Sequence, residues 1–228
     1  MERNLLVCYM KLVLRSLRSC AMDSELQRES EGVFQYGNYR READDLRAVV
    51  SYWSEQKYEI SAIIGHSKGG NVVLLYASMY HDVPVVVNLS GRFALDRGIE
   101  GRLGKKFLQR IKKDGFIDVK DRTGKVEYRV TEESLMDRLN TDMHAPSLSI
   151  DKECRVLTVH GSEDEIVPAE DALKFAELIP NHKLRIIEGA DHCYTAHQEM
   201  LASLVLDFIK FDQVFLVPNG NKLVISRL

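Results

Sequence analysis

Gly65-His66-Ser67-Lys68-Gly69 sets a serine between two glycines at the spacing G-x-S-x-G. A serine hydroxyl is a weak nucleophile. It attacks a carbonyl only when a histidine takes its proton and an acid orients that histidine. Downstream the chain offers His160-Gly161-Ser162-Glu163-Asp164-Glu165 and then Gly189-Ala190-Asp191-His192. Asp164 is the candidate acid, with Glu163 and Glu165 as competitors. His192 is the candidate base, with His197 as competitor. The three fall in the chain order serine, acid, histidine. Their chemistry would be acyl transfer: Ser67 attacks the carbonyl, His192 takes and returns the proton, Asp164 holds the imidazole, and water releases the acyl group.

Such a trio works only if three loops meet at one rim. Glu59 to Gly65 is a short apolar run ending in glycine, which reads as a buried strand, and Lys68 to Tyr80 reads as a buried helix. Ser67 then occupies a strained strand-to-helix turn that lifts its hydroxyl above the sheet. Side chains at Gly65 and Gly69 would collide with the flanking strand and helix. The Lys68 backbone N–H, at the helix start, would face a developing oxyanion.

The surrounding rhythm supports this placement. Asn38 to Gln56 is amphipathic, with Asn38 as its expected cap and Glu42 in its first turn. Strands are expected at Pro84–Gly91, Arg155–Gly161 and Lys183–Gly189, and helices at Glu170–Ile179 and His197–Phe211. Near-continuous apolar strands alternating with helices imply a parallel sheet covered on both faces. Residues 92–150 break the rhythm. They hold a basic helix-like piece (Leu103–Lys113), a hairpin-like piece (Phe116–Val130) turning at Asp121-Arg122-Thr123-Gly124, and a short helix (Glu132–Leu139). Val214–Ser226 reads as two apolar runs around the turn Pro218-Asn219-Gly220-Asn221.

Composition removes other classes. The 228 residues are 45% hydrophobic and 29% charged, an ordinary composition for one α/β domain. A net charge of −3 argues against a nucleic-acid partner. Four separated cysteines, Cys8, Cys20, Cys154 and Cys193, form no C-x-x-C pair, which suits reduced thiols and a cytoplasmic location. No run of 18 apolar residues is present to suggest a transmembrane segment. Met1 to Met22 is basic and apolar; it suits a packed helix, or a strand over Leu5–Leu14, better than an organellar transit peptide. No cofactor is implied, and His160, Asp164 and His192 match no metal-ligand spacing. His66 is expected to be structural and to point away by alternation. His160 is expected to satisfy local hydrogen bonds, and Cys193 to be a small packing residue. Lys105, Lys106, Arg110, Lys112 and Lys113 make a basic face, by default solvated, with contact to an acidic substrate or a membrane surface as the alternative.

The combination of G-H-S-K-G-G, H-G-S-E-D-E-I-V-P and G-A-D-H resembles the α/β-hydrolase fold family over about residues 30–212. It is most similar to the branch of monoacylglycerol-lipase-like, feruloyl-esterase-like and serine-aminopeptidase-like proteins, plant sequences among them. The resemblance implies an α/β sheet with helices on both faces, a hydrolase domain over 29–212 and a cap insertion over 92–150 that shapes the acyl or leaving-group pocket. It implies Ser67 as nucleophile, Asp164 as acid and His192 as base. The implied activity is hydrolysis of a small-molecule carboxylic ester, with a peptidase acting on amides or a non-catalytic binding protein as alternatives. Family members also carry an H-G strand whose loop gives a second oxyanion N–H. Here only Glu29-Ser30-Glu31-Gly32 matches the end of a neighbouring motif, and residues 1–28 resemble nothing in the family. The expectation is an incomplete set of N-terminal strands. The elbow strand is then an exposed edge unless Leu5–Leu14 pairs as a surrogate strand or a second copy docks there.

Overall fold

A computed structural model describes residues 34–210 in full and the backbone of residues 3–8 and 19–22. Its main sheet has six strands, all parallel: β1 (Arg3–Cys8), β2 (Ser19–Met22), β3 (Glu59–His66), β4 (Val85–Leu89), β7 (Arg155–Gly161) and β8 (His182–Ile187), in the order β2-β1-β3-β4-β7-β8. Parallel neighbours need crossover connections, and helices supply most of them. These are α1 (Tyr39–Glu55), α2 (Lys68–Tyr80) and α7 (Glu170–Leu178), with α8 (Gln198–Lys210) closing the described chain.

The inner strands β3, β4 and β7 are largely apolar because both faces are covered. Along β3 and β4, Ile63 and Val86 face one cluster with Leu46, Val50, Val73, Tyr76 and Phe175. Ala62, Ile64, Val85 and Val87 face the other, with Leu157, Val205 and Phe208. This period-two division puts α1, α2 and α7 on one face and α8 on the other. The carboxyl ends of β3, β7 and β8 therefore open on one edge, the place where such sheets bind ligands.

Residues 92–150 form a separate unit. A two-stranded antiparallel sheet, β5 (Phe116–Lys120) and β6 (Val126–Thr131), packs with α3 (Glu100–Leu103), α4 (Phe107–Asp114) and α5 (Glu132–Asn140). Its own core holds Ile99, Leu103, Phe107, Ile111, Ile117, Val130 and Leu135, and Tyr36 joins it from the main domain. Asp121 Oδ1 accepts from the N–H groups of Thr123 and Lys125, as its place in the turn suggested. Thr131 and Ser134 cap α5 reciprocally.

Several expectations need correction. The elbow strand is not an exposed edge. β1 pairs along it, with Cys8 opposite Gly65, so residues 1–28 contribute two strands of the sheet. The reason is that strand pairing needs backbone N–H and C=O groups and an apolar run, which Arg3-Asn4-Leu5-Leu6-Val7-Cys8 supplies without the H-G motif. The surrogate strand is thus realised over Arg3–Cys8; residues 9–18 lie outside the described residues, as does the hairpin expected at Val214–Ser226. The edge through which a second copy was to dock is filled. The helix expected from Leu103 to Lys113 is broken at Gly104, whose φ of 84° no helix admits. The helix α6 (His144–Ser149) is not among the expected elements, and it carries Pro146 in its first turn. A proline in the first turn lacks only an N–H that has no helical partner, and Asp142 accepts from the His144 and Ala145 N–H groups. Among the described residues no helix is long and apolar enough to cross a membrane.

Candidate active site

Ser67 follows β3 and precedes α2 with φ 55° and ψ −118°, a backbone shape that residues with a Cβ rarely adopt. The turn is locked by its N–H donating to the Leu89 carbonyl at 2.8 Å. Gly65 is dictated by close approach: a Cβ there would lie 2.0 Å from the Gly69 carbonyl oxygen. Gly70 is held as tightly, since its Cβ would meet Asn88 Oδ1 at 2.3 Å. Lys68 is the first helical residue, so its N–H has no intrahelical partner and points out at the helix N-terminus. Its ammonium runs back to the Gln35 carbonyl at 2.8 Å and to Glu42, over the rings of Phe34 and Tyr39. Glu42 is therefore an anchor for the elbow. Asn38 makes no side-chain cap; its backbone, at φ 64°, donates instead to Asp137.

The structure brings the three candidates together. His192 Nε2 lies 3.0 Å from Ser67 Oγ, and His192 Nδ1 lies 2.8 Å from Asp164 Oδ2. The Asp164 carboxylate fixes the tautomer: Nδ1–H donates to it, leaving Nε2 free to accept the serine proton. Asp164 Oδ1 accepts from the Ile166 and Val167 N–H groups at 2.9 and 2.8 Å. Burial acts to raise the Asp164 carboxyl. The hydrogen bonds it accepts from His160, His192 and the Val167 N–H outweigh burial and hold it well below the usual carboxylate range. Glu163 and Glu165 do not reach the base; the Glu163 backbone donates to the Ala190 carbonyl. His197 stands just before α8. The sequence lacks the H-G loop that gives family members a second oxyanion N–H, and the residues that follow β1 lie outside the described ones.

The loop carrying His192 is held from several sides. Gly161 approaches Ala190 so closely that a Cβ would meet its carbonyl oxygen at 2.2 Å, and the Gly189 N–H donates to Ser162 Oγ at 2.8 Å. Tyr194, at φ 54°, sends its hydroxyl into the core, where it donates to the Val159 carbonyl and meets Ser90 Oγ. His66 does not point away. Its Nε2 lies 2.8 Å from the His192 carbonyl oxygen, and the two rings are 4.9 Å apart. Strand alternation fails there because the elbow turn begins at that residue. On the acid side Arg92 donates to the Ile166 carbonyl, and Asp171 accepts from the Phe93 N–H at 2.9 Å. These contacts tie the start of the 92–150 insertion to the acid loop and to the first turn of α7. Nothing in the sequence marks them, because each joins residues more than seventy positions apart.

Two half-buried imidazoles set an acid limit on stability. Burial, and for His66 also the neighbouring His192, push His66 and His182 down to about 4 from the ordinary 6.5. Between pH 6.5 and about 4 the unfolded chain binds protons on both that the native state refuses. Stability is therefore full above that window and falls as the pH drops through it. Asp164, held low, acts in the same direction below the ordinary carboxylate range. Unfolding temperatures measured from pH 7 to 4 are expected to decline through the window; a flat profile contradicts this. His182→Gln, able to keep a hydrogen bond to Thr158, is expected to flatten the slope.

A parallel sheet with helices on both faces, and a serine on the turn after an inner strand, define an α/β hydrolase. The family described as BAAT / acyl-CoA thioester hydrolase C terminal matches residues 53–183, and the chain belongs to that family. No curated protein matches the chain. Among solved structures, Est1E from Butyrivibrio proteoclasticus is similar with a TM-score of 0.68 at 21% identity, over 91% of this chain and 87% of that one. The α/β hydrolase GrgF from Penicillium sp. sh18 is similar with a TM-score of 0.67 at 17% identity, over 94% and 92%. A lipase-esterase related protein from Clostridium acetobutylicum ATCC 824 has a TM-score of 0.67 at 18% identity, over 91% and 95%. At these identities the likeness is one of fold.

Proposed function

We propose that the chain is a serine hydrolase that cleaves an ester or thioester of a carboxylic acid through an acyl-enzyme on Ser67. The observation that carries this reading is the continuous relay from Ser67 Oγ through His192 to a buried, fully hydrogen-bonded Asp164. In this reading His192 Nε2 takes the serine proton as Oγ attacks the carbonyl. The Lys68 N–H stabilises the oxyanion at the helix terminus. The imidazolium, steadied by Asp164, returns the proton to the departing alkoxide or thiolate. Water, activated by the same imidazole, then releases the acid. No cofactor enters.

The family description favours a thioester, and the sequence pattern favours an oxygen ester; both use the same machinery. A structure of Est1E is described as bound to ferulic acid, which agrees with the feruloyl-esterase-like side of the resemblance. The unit over 92–150 acts here as the cap that shapes the pocket. The test is steady-state hydrolysis of p-nitrophenyl esters, and of acyl-CoA followed by release of free thiol. Turnover of either, lost in Ser67→Ala, is the expected result. Background rates on both, with the protein shown to be folded, overturn the reading.

A further inference from the structure

His160 is the penultimate residue of β7, four residues before Asp164, and is fully buried. None of the acyl-transfer steps uses it. Its Nε2 lies 2.9 Å from the Val167 carbonyl oxygen and 3.3 Å from Asp164 Oδ2, and its Nδ1 meets no partner. A neutral ring with its proton on Nε2 satisfies this arrangement, one N–H being shared between a carbonyl and a carboxylate. A proton on Nδ1 instead would bury an unpaired donor and turn a lone pair toward two oxygens, both unfavourable. The surroundings thus make Nε2 the donor of His160. The oxygen it approaches, Oδ2, is the same one that accepts from His192 Nδ1 at 2.8 Å. Asp164 therefore stands between two imidazoles, one facing the serine and one sealed in the core.

We propose that His160 is a positioning residue: its Nε2–H holds the Asp164 carboxylate in the rotamer that meets His192 and draws off part of the charge that Oδ2 presents to the His192 ring. The role rests on the reading of Ser67, Asp164 and His192 as a triad. Physically, a donated hydrogen bond stabilises the carboxylate and weakens its pull on the proton shared with His192. Removing the donor makes the couple more basic, so the His192 midpoint rises and the acid limb of the rate profile moves to higher pH. Other ionisable groups face this carboxylate. They are His192, Cys193 and Tyr194 from the base loop and His66 from β3, with Glu165 near Cys193 and Arg92 reaching the acid loop through the Ile166 carbonyl. The His160 substitutions below leave all of them in place.

The experiment follows the His192 imidazole by NMR across pH in histidine-labelled protein, with the signal assigned through His192→Asn, alongside the pH dependence of ester hydrolysis. His160→Leu is expected to raise the His192 midpoint by about half a unit to one unit and to lower turnover by roughly ten- to a hundredfold through misplacement of the base. His160→Gln, whose amide reaches the position of Nε2, is expected to keep the wild-type midpoint and most of the rate. Should His160→Leu not fold, His160→Asn serves, because its amide stops short of Asp164. An unchanged midpoint in the donor-free variant overturns the proposal, as does a shift in His160→Gln as large as in His160→Leu. A midpoint shift in a protein that hydrolyses nothing supports the positioning role and removes the proposed function. Turnover with no midpoint shift does the reverse.

Discussion

Ser67→Ala is expected to be a folded protein whose ester and thioester turnover is lower by about six orders of magnitude, the full loss seen when a triad nucleophile is deleted. The lost oxygen is the atom that forms the covalent bond, and no neighbouring group replaces it. The Ser162 hydroxyl accepts from the Gly189 N–H, and the Ser90 hydroxyl is turned inward to Tyr194. Ser67→Gly is expected to lose the same activity and to unfold at a higher temperature. A backbone at φ 55° and ψ −118° strains any residue with a Cβ by about 1–3 kcal/mol, and glycine relieves that strain. Steady-state rates and thermal unfolding of the three proteins check both halves. Appreciable turnover by Ser67→Ala, or a glycine variant less stable than wild type, contradicts the account.

Asp164→Asn is expected to lower kcat/KM by about 10⁴-fold with little change in KM. The argument is one of donors and acceptors. Oδ1 receives two backbone N–H groups, from Ile166 and Val167, and the amide oxygen of asparagine must take that place. The amide NH2 then faces His192 Nδ1 and His160 Nε2. To meet it, His192 presents a lone pair at Nδ1 and carries its proton on Nε2, where it can no longer accept the hydrogen of Ser67. The loop geometry is kept and the tautomer is wrong. Kinetics in the neutral range give the test, with the unfolding temperature as control. A loss of less than tenfold would show that the carboxylate does not govern the base.

The candidate residues were legible because each follows the carboxyl end of a strand, and the runs before Ser67 and Asp164 are local and largely apolar. Lys68–Tyr80 and Arg155–Gly161 take the bounds expected of them, since a fully buried helix and strand leave little doubt about where polarity returns. What escaped was tertiary. The first strand carries no motif, and its pairing with the elbow strand joins residues more than fifty positions apart. Glu42 looked like a first-turn acid and is the partner of Lys68. His66 looked turned away and holds the base loop by its backbone. His160 looked locally satisfied and shares the acid with His192. The strain at Ser67, Ser90 and Tyr194, all at positive φ without being glycine, has no signature in residue type; it is maintained by contacts that only the folded chain brings together.

Covalent trapping tests the central claim most directly. The folded protein is incubated with a fluorophosphonate, and the modified peptide is identified by mass spectrometry. The account predicts one adduct, on the hydroxyl of Ser67, absent from Ser67→Ala and formed far more slowly in His192→Ala. An adduct on another residue, or labelling in His192→Ala as fast as in wild type, contradicts it.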